Sequence, residues 1–363
     1  MSRPCVWIDL EKIEHNARNI VGLCAEHGIA VTGVTKGVCG HPDVARAMLR
    51  GGVTSIGESR MENVARLRSA GIAGPFMLLR VPPLSRVGEV VEAVELSVNS
   101  ELAVLAALSD AARRTGRLHP VIVMLDLGDL REGVWPSELP AFAREVAKLE
   151  GLRLAGLGAN LTCYGGVIPT ERNMAQLVQL AEQVEAELGT RLAWLSGGNS
   201  SALPMIAAGR MPARVNHVRI GEAILLGRET IERSPWPGTC QDAFLLEAEV
   251  IERKRKPSLP LGERTRDAFA RTPASVDRGV VVRALLDLGR EDVDVEGLAP
   301  QDSRLRVLGA SSDYLILDVT AAGELVQVGD RLLFSLGYGA LLAAMDSEYV
   351  EKRIRDADAV GTG

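Results

Sequence analysis

From about residue 30 to residue 227, short β-branched runs alternate with longer stretches of helical periodicity, one pair every roughly 20 to 35 residues. This alternation constrains the fold more than any other feature, because strands joined through helical crossovers run parallel and need a helix layer to cover them. Eight strand-like runs can be placed, near residues 30–35, 54–57, 76–79, 96–98, 120–126, 152–157, 192–196 and 214–220. Between them lie amphipathic stretches such as SELAVLAALSDAARRTG, opened by Ser100 as an N-cap, and TERNMAQLVQLAEQVEAELG, closed by Gly189. Beyond about residue 240 the rhythm changes to strand-like runs joined by polar, Pro- and Gly-containing loops. The reading is an α/β chain, a (β/α)8 TIM-type barrel followed by a mostly β C-terminal domain. Its expected divisions are 1–29 (a strand and helix packing with the C-terminal domain), 30–235 (the barrel) and 236–363 (the β domain, with a short tail helix). The charged segment 253–279 reads as an irregular insertion.

Composition narrows the function. Hydrophobic residues make up 47% of the 363-residue chain and charged residues 24%, which suits a globular core and argues against disorder. The net charge of -6 comes with no large basic block, so nucleic acid is not an expected partner. Cys5, Cys24, Cys39, Cys163 and Cys240 form no CxxC pair or metal-ligand spacing, so neither a metal site nor a disulfide framework is expected. The N-terminus lacks a signal-peptide core and no run of about 20 lipid-facing residues exists, so the expectation is a cytoplasmic protein off the membrane. The sequons at Asn160 and Asn199 would then be irrelevant to glycosylation.

Of 41 basic residues only six are lysines, and five of those sit among other charges. Lys36 does not. It follows a β-branched run in VTGVTKGVCG, with no other Asp, Glu, Arg or Lys between Glu26 and Asp43. A buried lysine loses preference for its charged form and becomes a nucleophile for carbonyl carbon. The blander alternative is a head group that snorkels to the barrel mouth. Barrel chemistry sits at the C-terminal ends of strands, where Lys36, Glu58, Asp126 with Arg131, Asn160, the SGGNSS run and Arg219–Gly221 all fall. SGGNSSALPMIAAG offers backbone N–H groups and hydroxyls at a helix start, as a phosphate or carboxylate site would. A nucleophilic lysine and a phosphate-type loop on one mouth ask for a phosphorylated aldehyde, pyridoxal 5'-phosphate (PLP).

The motifs IDLEKIEHNARNI, VTKGVCGHP, DLGDLREG, LSGGNSSAL and VRIGEAILLG together resemble the alanine racemase-like, fold-type III PLP enzymes. VTKGVCGHPDVARAML with GGVTSIGESRMENV, GANLTCYGG and VNHVRIGEAILLGRE is similar to the ornithine racemase branch. The resemblance spans nearly the whole chain. It implies that Lys36 is the Schiff-base lysine and one of two racemisation bases. Asn160 stands where the family has a histidine packed on the cofactor ring. Asn199, Ser200 and Gly221 match phosphate-binding positions, Tyr338 a C-terminal-domain tyrosine that reaches the phosphate, and Arg131 an arginine near the substrate carboxylate. Arg219 matches the arginine facing the pyridine nitrogen, whose permanent charge disfavours protonation there and so favours racemisation over transamination. Ser312 and Asp313, in GASSDYLILD, match a segment touching the substrate carboxylate. A head-to-tail homodimer is implied as well.

Two departures matter. The second base of the alanine enzymes is a partner-subunit tyrosine, and Arg290, in LDLGREDVD, stands in its place. The reading puts Asp292 forward as the catalytic second base, with Cys163 and Tyr164 as alternatives, and takes Asp287 and Glu291 as partners for a cationic substrate side chain. Met124 replaces a lysine that supports the catalytic arginine, so Arg131 must be positioned otherwise. The function expected is PLP-dependent racemisation of a basic amino acid, ornithine first. The alternatives are a racemase, decarboxylase or aldolase for another amino acid, a non-catalytic PLP-binding homeostasis protein, or a barrel enzyme without PLP.

Overall fold

The computed structural model describes residues 3–271 and 276–355. It divides into two compact units, Leu10–Gln241 and a second made of Met1–Asp9 with Asp242–Gly363. The chain opens with β1 (Cys5–Ile8), and then enters the larger unit. There β2 (Ala30–Val34), β3 (Ser55–Glu58), β4 (Phe76–Leu78), β5 (Leu96–Asn99), β6 (His119–Leu125), β7 (Leu152–Ala159), β8 (Trp194–Ser196) and β9 (His217–Ile220) close into one barrel in sequence order. Every neighbouring pair is parallel, including the closing pair β2 and β9. This is the expected (β/α)8 fold. The barrel is a packed core with no pore, filled by Met77, Val98, Ile122 and Met124 among others. Met124, 2% exposed, is thus core packing in place of a charge near Arg131.

The smaller unit is built on an antiparallel sheet. Its strands are β10 (Phe244–Pro257), β11 (Val280–Leu286), β12 (Leu298–Pro300), β13 (Arg306–Ala310), β14 (Leu315–Asp318), β15 (Arg331–Leu336) and β16 (Glu351–Ile354). The leading strand β1 pairs antiparallel with β10 and parallel with β16.

The divisions differ from the expected ones in two respects. The helix Leu10–Glu26 belongs to the barrel unit and not to the β unit, because its buried stripe (Ile13, Ala17, Ile20, Cys24) packs on barrel helices and Asn16 bonds the Cys240 and Ile224 carbonyls. The segment RKRKP continues β10, bent by a bulge between Val250 and Glu252, so the irregular stretch is confined to about residues 258–279, of which 272–275 lie outside the described residues. The described chain ends at β16, after a helix at Tyr338–Asp346, and residues 356–363, where the expected tail helix would fall, lie outside the described residues.

Candidate active site

The first strand delivers Lys36 to the barrel mouth. β2 ends at Val34, and Lys36 opens a single 3-10 turn, Lys36–Val38. The turn is held by a buried carboxylate. Glu58, at the end of β3, accepts from Thr35 Oγ1 at 2.5 Å, Asn63 Nδ2 at 2.9 Å and the Ser59 amide at 3.2 Å. Burial raises the pKa of Glu58 against those bonds and against the charge of Lys36. Gly40 completes the turn at φ +62, where a Cβ would meet Asn63 Cβ at 2.8 Å, so only glycine fits. Burial also pushes the Lys36 pKa below the ordinary lysine value; Arg131 and Arg219 push the same way, and Cys163 and Glu132 oppose them. A lysine so placed keeps a larger neutral, nucleophilic fraction than one in water.

Arg219, on β9, is 6% exposed and held by neutral oxygens. Its guanidinium donates to the Ala159 carbonyl at 2.8 Å and to Ser196 Oγ. Ser196 Oγ lies 2.7 Å from His217 Nδ1, His217 Nε2 lies 2.7 Å from Thr32 Oγ1, and Thr32 Oγ1 lies 2.6 Å from Ser55 Oγ. Burial, aided by Arg219, pushes the His217 pKa down to about 3, so the imidazole is neutral. A guanidinium can only donate, so the Ser196 oxygen accepts from it. The arrangement that serves every partner then runs outward: Ser196 donates to Nδ1, Nε2–H donates to Thr32, and Thr32 donates to Ser55. This chain of strand side chains fixes the plane of Arg219. Burial lowers the Arg219 pKa to about 10, still above neutrality, so it remains a cation.

Arg131 stands on the loop after β6, and carboxylates from that loop place it. Asp126 Oδ1 accepts from the Gly128 and Leu130 amides at 2.9 and 3.1 Å, and Glu132 pairs with Arg131 itself. Asp129 is 2% exposed and reaches across to the loop after β7. Its carboxylate accepts from the amides of Thr162 (3.2 Å), Cys163 (3.3 Å), Tyr164 (3.0 Å) and Val167 (3.2 Å), and its carbonyl accepts from Gly165 at 3.1 Å. Asn160 lies between these loops and β8. With its amide oxygen turned to the guanidinium it accepts from Arg131 Nη2 at 2.6 Å. Asn199 Nδ2 donates to the Leu161 carbonyl at 2.8 Å and to Cys163 Sγ at 3.2 Å, while its Oδ1 caps the Ser201 amide at 2.8 Å.

The Gly-rich turn after β8 carries Ser200 and Ser201, both buried. Ser200 Oγ accepts from the Ala223 amide at 3.2 Å, which ties the turn to the helix that follows Gly221. The buried Ser201 hydroxyl has no hydrogen-bond partner. An orphaned buried hydroxyl costs free energy unless something outside the protein satisfies it.

The structure gathers Lys36, Arg131, Asn160, Asn199, Ser200, Arg219 and Gly221 in the barrel unit. The other expected site residues lie in the β unit. Asp292 is 9% exposed, and its carboxylate accepts from the Gly289 amide at 3.1 Å and Ser347 Oγ at 3.2 Å. That use departs from the expectation of a base presented to substrate: Gly289 is pressed against the Ser312 backbone, and Asp292 closes the turn this creates. Arg290 forms a bidentate pair with Glu296 and stacks 5.4 Å from the Phe269 ring centre. Asp287 accepts from the Glu249 amide at 2.9 Å beside the β10 bulge, so it serves the sheet. Glu291 is exposed next to Ser312 and Asp313, with its amide bonded to the Ser312 carbonyl at 3.2 Å, and Ser312 Oγ donates to Asp313 at 2.6 Å. Tyr338 opens the helix Tyr338–Asp346. Sequence reasoning missed Asp129, Ser196 and His217 as supporting residues. Their signal was present as polar residues inside otherwise apolar strand runs, and as the second aspartate of DLGDLREG.

The model of the alanine racemase N-terminal domain matches residues 8–229. The chain belongs to the alanine racemase family. It is 41% identical over 97% of its length to ornithine racemase of Acetoanaerobium sticklandii, 99% of which is covered, and 43% identical over 97% of its length to lysine racemase of Thermotoga maritima, 98% of which is covered. Among solved structures, alanine racemase of Streptomyces lavendulae superposes with a TM-score of 0.74 at 20% identity, covering 98% of both chains. Against that family background the mouth fits PLP: a primary amine with a lowered pKa, an unsatisfied buried hydroxyl on the turn that would hold a phosphate, and a buried cation bonded by neutral oxygens. Among the described residues no group of His, Cys, Asp and Glu is placed to share a metal ion, and no helix is long and apolar enough to cross a membrane.

Proposed function

We propose that this protein is a PLP-dependent racemase of a basic amino acid, with ornithine the first choice and lysine the second. The observation that carries the reading is Lys36: a lysine of lowered pKa at the end of the first barrel strand, sharing one mouth with Arg131, Arg219 and the Ser200–Ser201 turn. The two relatives similar over nearly their full length, named for ornithine and lysine, support the substrate class.

In this reading Lys36 Nζ would hold the cofactor and would carry a proton to or from one face of the substrate Cα. The bound cofactor supplies an electron sink for the pair left when the Cα–H bond breaks. Arg219, a cation, would disfavour a proton on the cofactor's ring nitrogen, which would keep the sink weak and favour return of the proton to Cα. Ser196 and His217 hold that guanidinium in plane. Asn199, Ser200, Ser201 and Gly221 would hold the phosphate, a role that the family resemblance extends to Tyr338. Arg131, fixed by Glu132 and Asn160, binds the substrate carboxylate. Ser312, Asp313 and Glu291 are assigned to substrate by the same reading, and a KM rise in their alanine variants checks it. A head-to-tail homodimer and a cytoplasmic location belong to the proposal; light scattering and fractionation test them.

The function is tested by incubating the PLP-loaded protein with each enantiomer of ornithine, lysine, arginine and alanine and separating the products by chiral chromatography. Conversion of a basic amino acid in both directions, with alanine turned over much more slowly, is the expected result. Decarboxylated, aldol-cleaved or unchanged amino acids would overturn it.

A further inference from the structure

Racemisation needs a proton carrier on each face of Cα, and Lys36 serves only one. The β unit offers no unengaged candidate at the positions expected: Asp292 is spent on its own turn and Arg290 on Glu296. Among the described residues the barrel mouth also holds Cys163, a group able to take and return a proton. Cys163 stands on the loop after β7, and β7 is three strands round the closed barrel from β2, by way of β9 and β8. Its thiol is exposed, while Cys5 and Cys24 are buried and Cys39 and Cys240 are half-buried. Cys163 interacts electrostatically with Lys36, Arg131 and Arg219, so the sulfur lies near the three groups assigned here to cofactor and substrate. It is also held in place. Asn199 Nδ2 donates to Sγ at 3.2 Å, and the buried Asp129 carboxylate clamps the backbone amides of Thr162, Cys163, Tyr164 and Val167. A solvent loop with no task does not require a buried carboxylate to pin four of its amides around an exposed thiol.

We propose that Cys163 is the second proton-transfer group, acting on the face of Cα opposite Lys36, an inference that rests on the racemase reading above. In one direction the Cα–H bond breaks as the S–H bond forms, and the electron pair stays with the substrate and its bound cofactor. Lys36 Nζ then gives its proton to the other face. Solvent resets both groups, removing the proton from sulfur and returning one to nitrogen. The opposite enantiomer uses the same two atoms in reverse order.

Two measurements decide it. In the first, exchange of the substrate α-hydrogen with deuterated water is followed separately from D- and L-ornithine in the wild type, C163A and C163S. C163A loses exchange from one enantiomer by about 100-fold or more while the other stays within a few fold, since Lys36 still serves its own face. C163S keeps a small hydrogen-bonding side chain for Asn199 but not the proton chemistry, so it shows the same one-sided loss. Equal loss from both enantiomers, no loss, or rescue by serine would overturn the proposal. Wild-type protein that exchanges neither enantiomer, nor those of lysine, would overturn the racemase reading and this inference with it. In the second, the cofactor-free protein is alkylated with iodoacetamide and the labelled peptide identified by mass spectrometry. Cys163 is labelled first, and loading with PLP and D-ornithine slows its labelling at least tenfold. Labelling unaffected by the loaded site would place the thiol outside it and end the proposal.

Discussion

Asp129 offers the sharpest test of how the mouth is built, because one buried carboxylate organises a whole loop. Replacing it with Asn keeps one oxygen, which still accepts from the Thr162 and Val167 amides, and turns an NH2 group toward the Cys163 and Tyr164 amides. Two charge-assisted bonds are lost and two donors face a donor. A hydrogen bond to a charged group is worth about 1.5–3 kcal/mol net, and the Cys163 and Tyr164 amides belong to exposed residues that water reaches, so the lower figure applies to each. The local stability of the loop should therefore fall by about 3 kcal/mol, which corresponds to roughly a 100-fold larger opening equilibrium constant. Native-state hydrogen exchange read by mass spectrometry on the peptide spanning residues 160–168 measures this directly. The expected result is about a 100-fold loss of protection across 162–167 with the barrel strands unchanged. Unchanged protection in D129N would refute the clamp and remove a support from the placement of Cys163. Asp129→Ala should lose all four bonds and open the loop further.

Lys36→Ala should abolish racemisation and the visible absorbance of lysine-bound cofactor while the barrel keeps its melting cooperativity; full activity with bound PLP would contradict the assignment. Ser196→Ala and His217→Phe should both raise the ratio of transamination to racemisation, checked by pyridoxamine phosphate formation, because Arg219 loses the acceptor that fixes its plane. Stability should fall in acid. His217 and His119 have folded-state pKa values lowered to about 3 and about 4 by burial, so as pH falls through 6.5 the unfolded chain takes up protons that the folded chain does not, the difference nearing two around pH 5. The loss should be about 1.4 kcal/mol from pH 7 to 6 and steepen to about 2.4 kcal/mol from pH 6 to 5, and urea titrations at pH 7, 6 and 5 check it.

The barrel was legible in the sequence because parallel strands buried on both faces leave unbroken apolar runs, and all eight fell close to their observed positions, as with 96–98 against Leu96–Asn99. The helix Leu10–Glu26 was misassigned for the opposite reason. Its amphipathic pattern shows that it is a helix with one buried face but does not show against which unit that face packs. RKRKP reads as a solvent loop on composition, yet a paired strand tolerates charges on its exposed face, and β11 supplies the pairing. At the site, Lys36 stood out as a charge without charged neighbours, and Arg219 by its glycine turn. Asp292 shows the limit: a carboxylate in sequence carries no mark of whether it faces a substrate or closes its own turn, and only the Gly289 and Ser347 contacts decide. The clamp of Asp129 on the loop after β7 joins residues more than thirty positions apart, a pairing no local pattern encodes.

The most direct test of the central claim is reduction of the PLP-loaded protein with borohydride, followed by peptide mapping. The cofactor should be found fixed to the peptide carrying Lys36 and to no other of the six lysines. A label on Lys12, Lys148, Lys254, Lys256 or Lys352, or none on any, would contradict it.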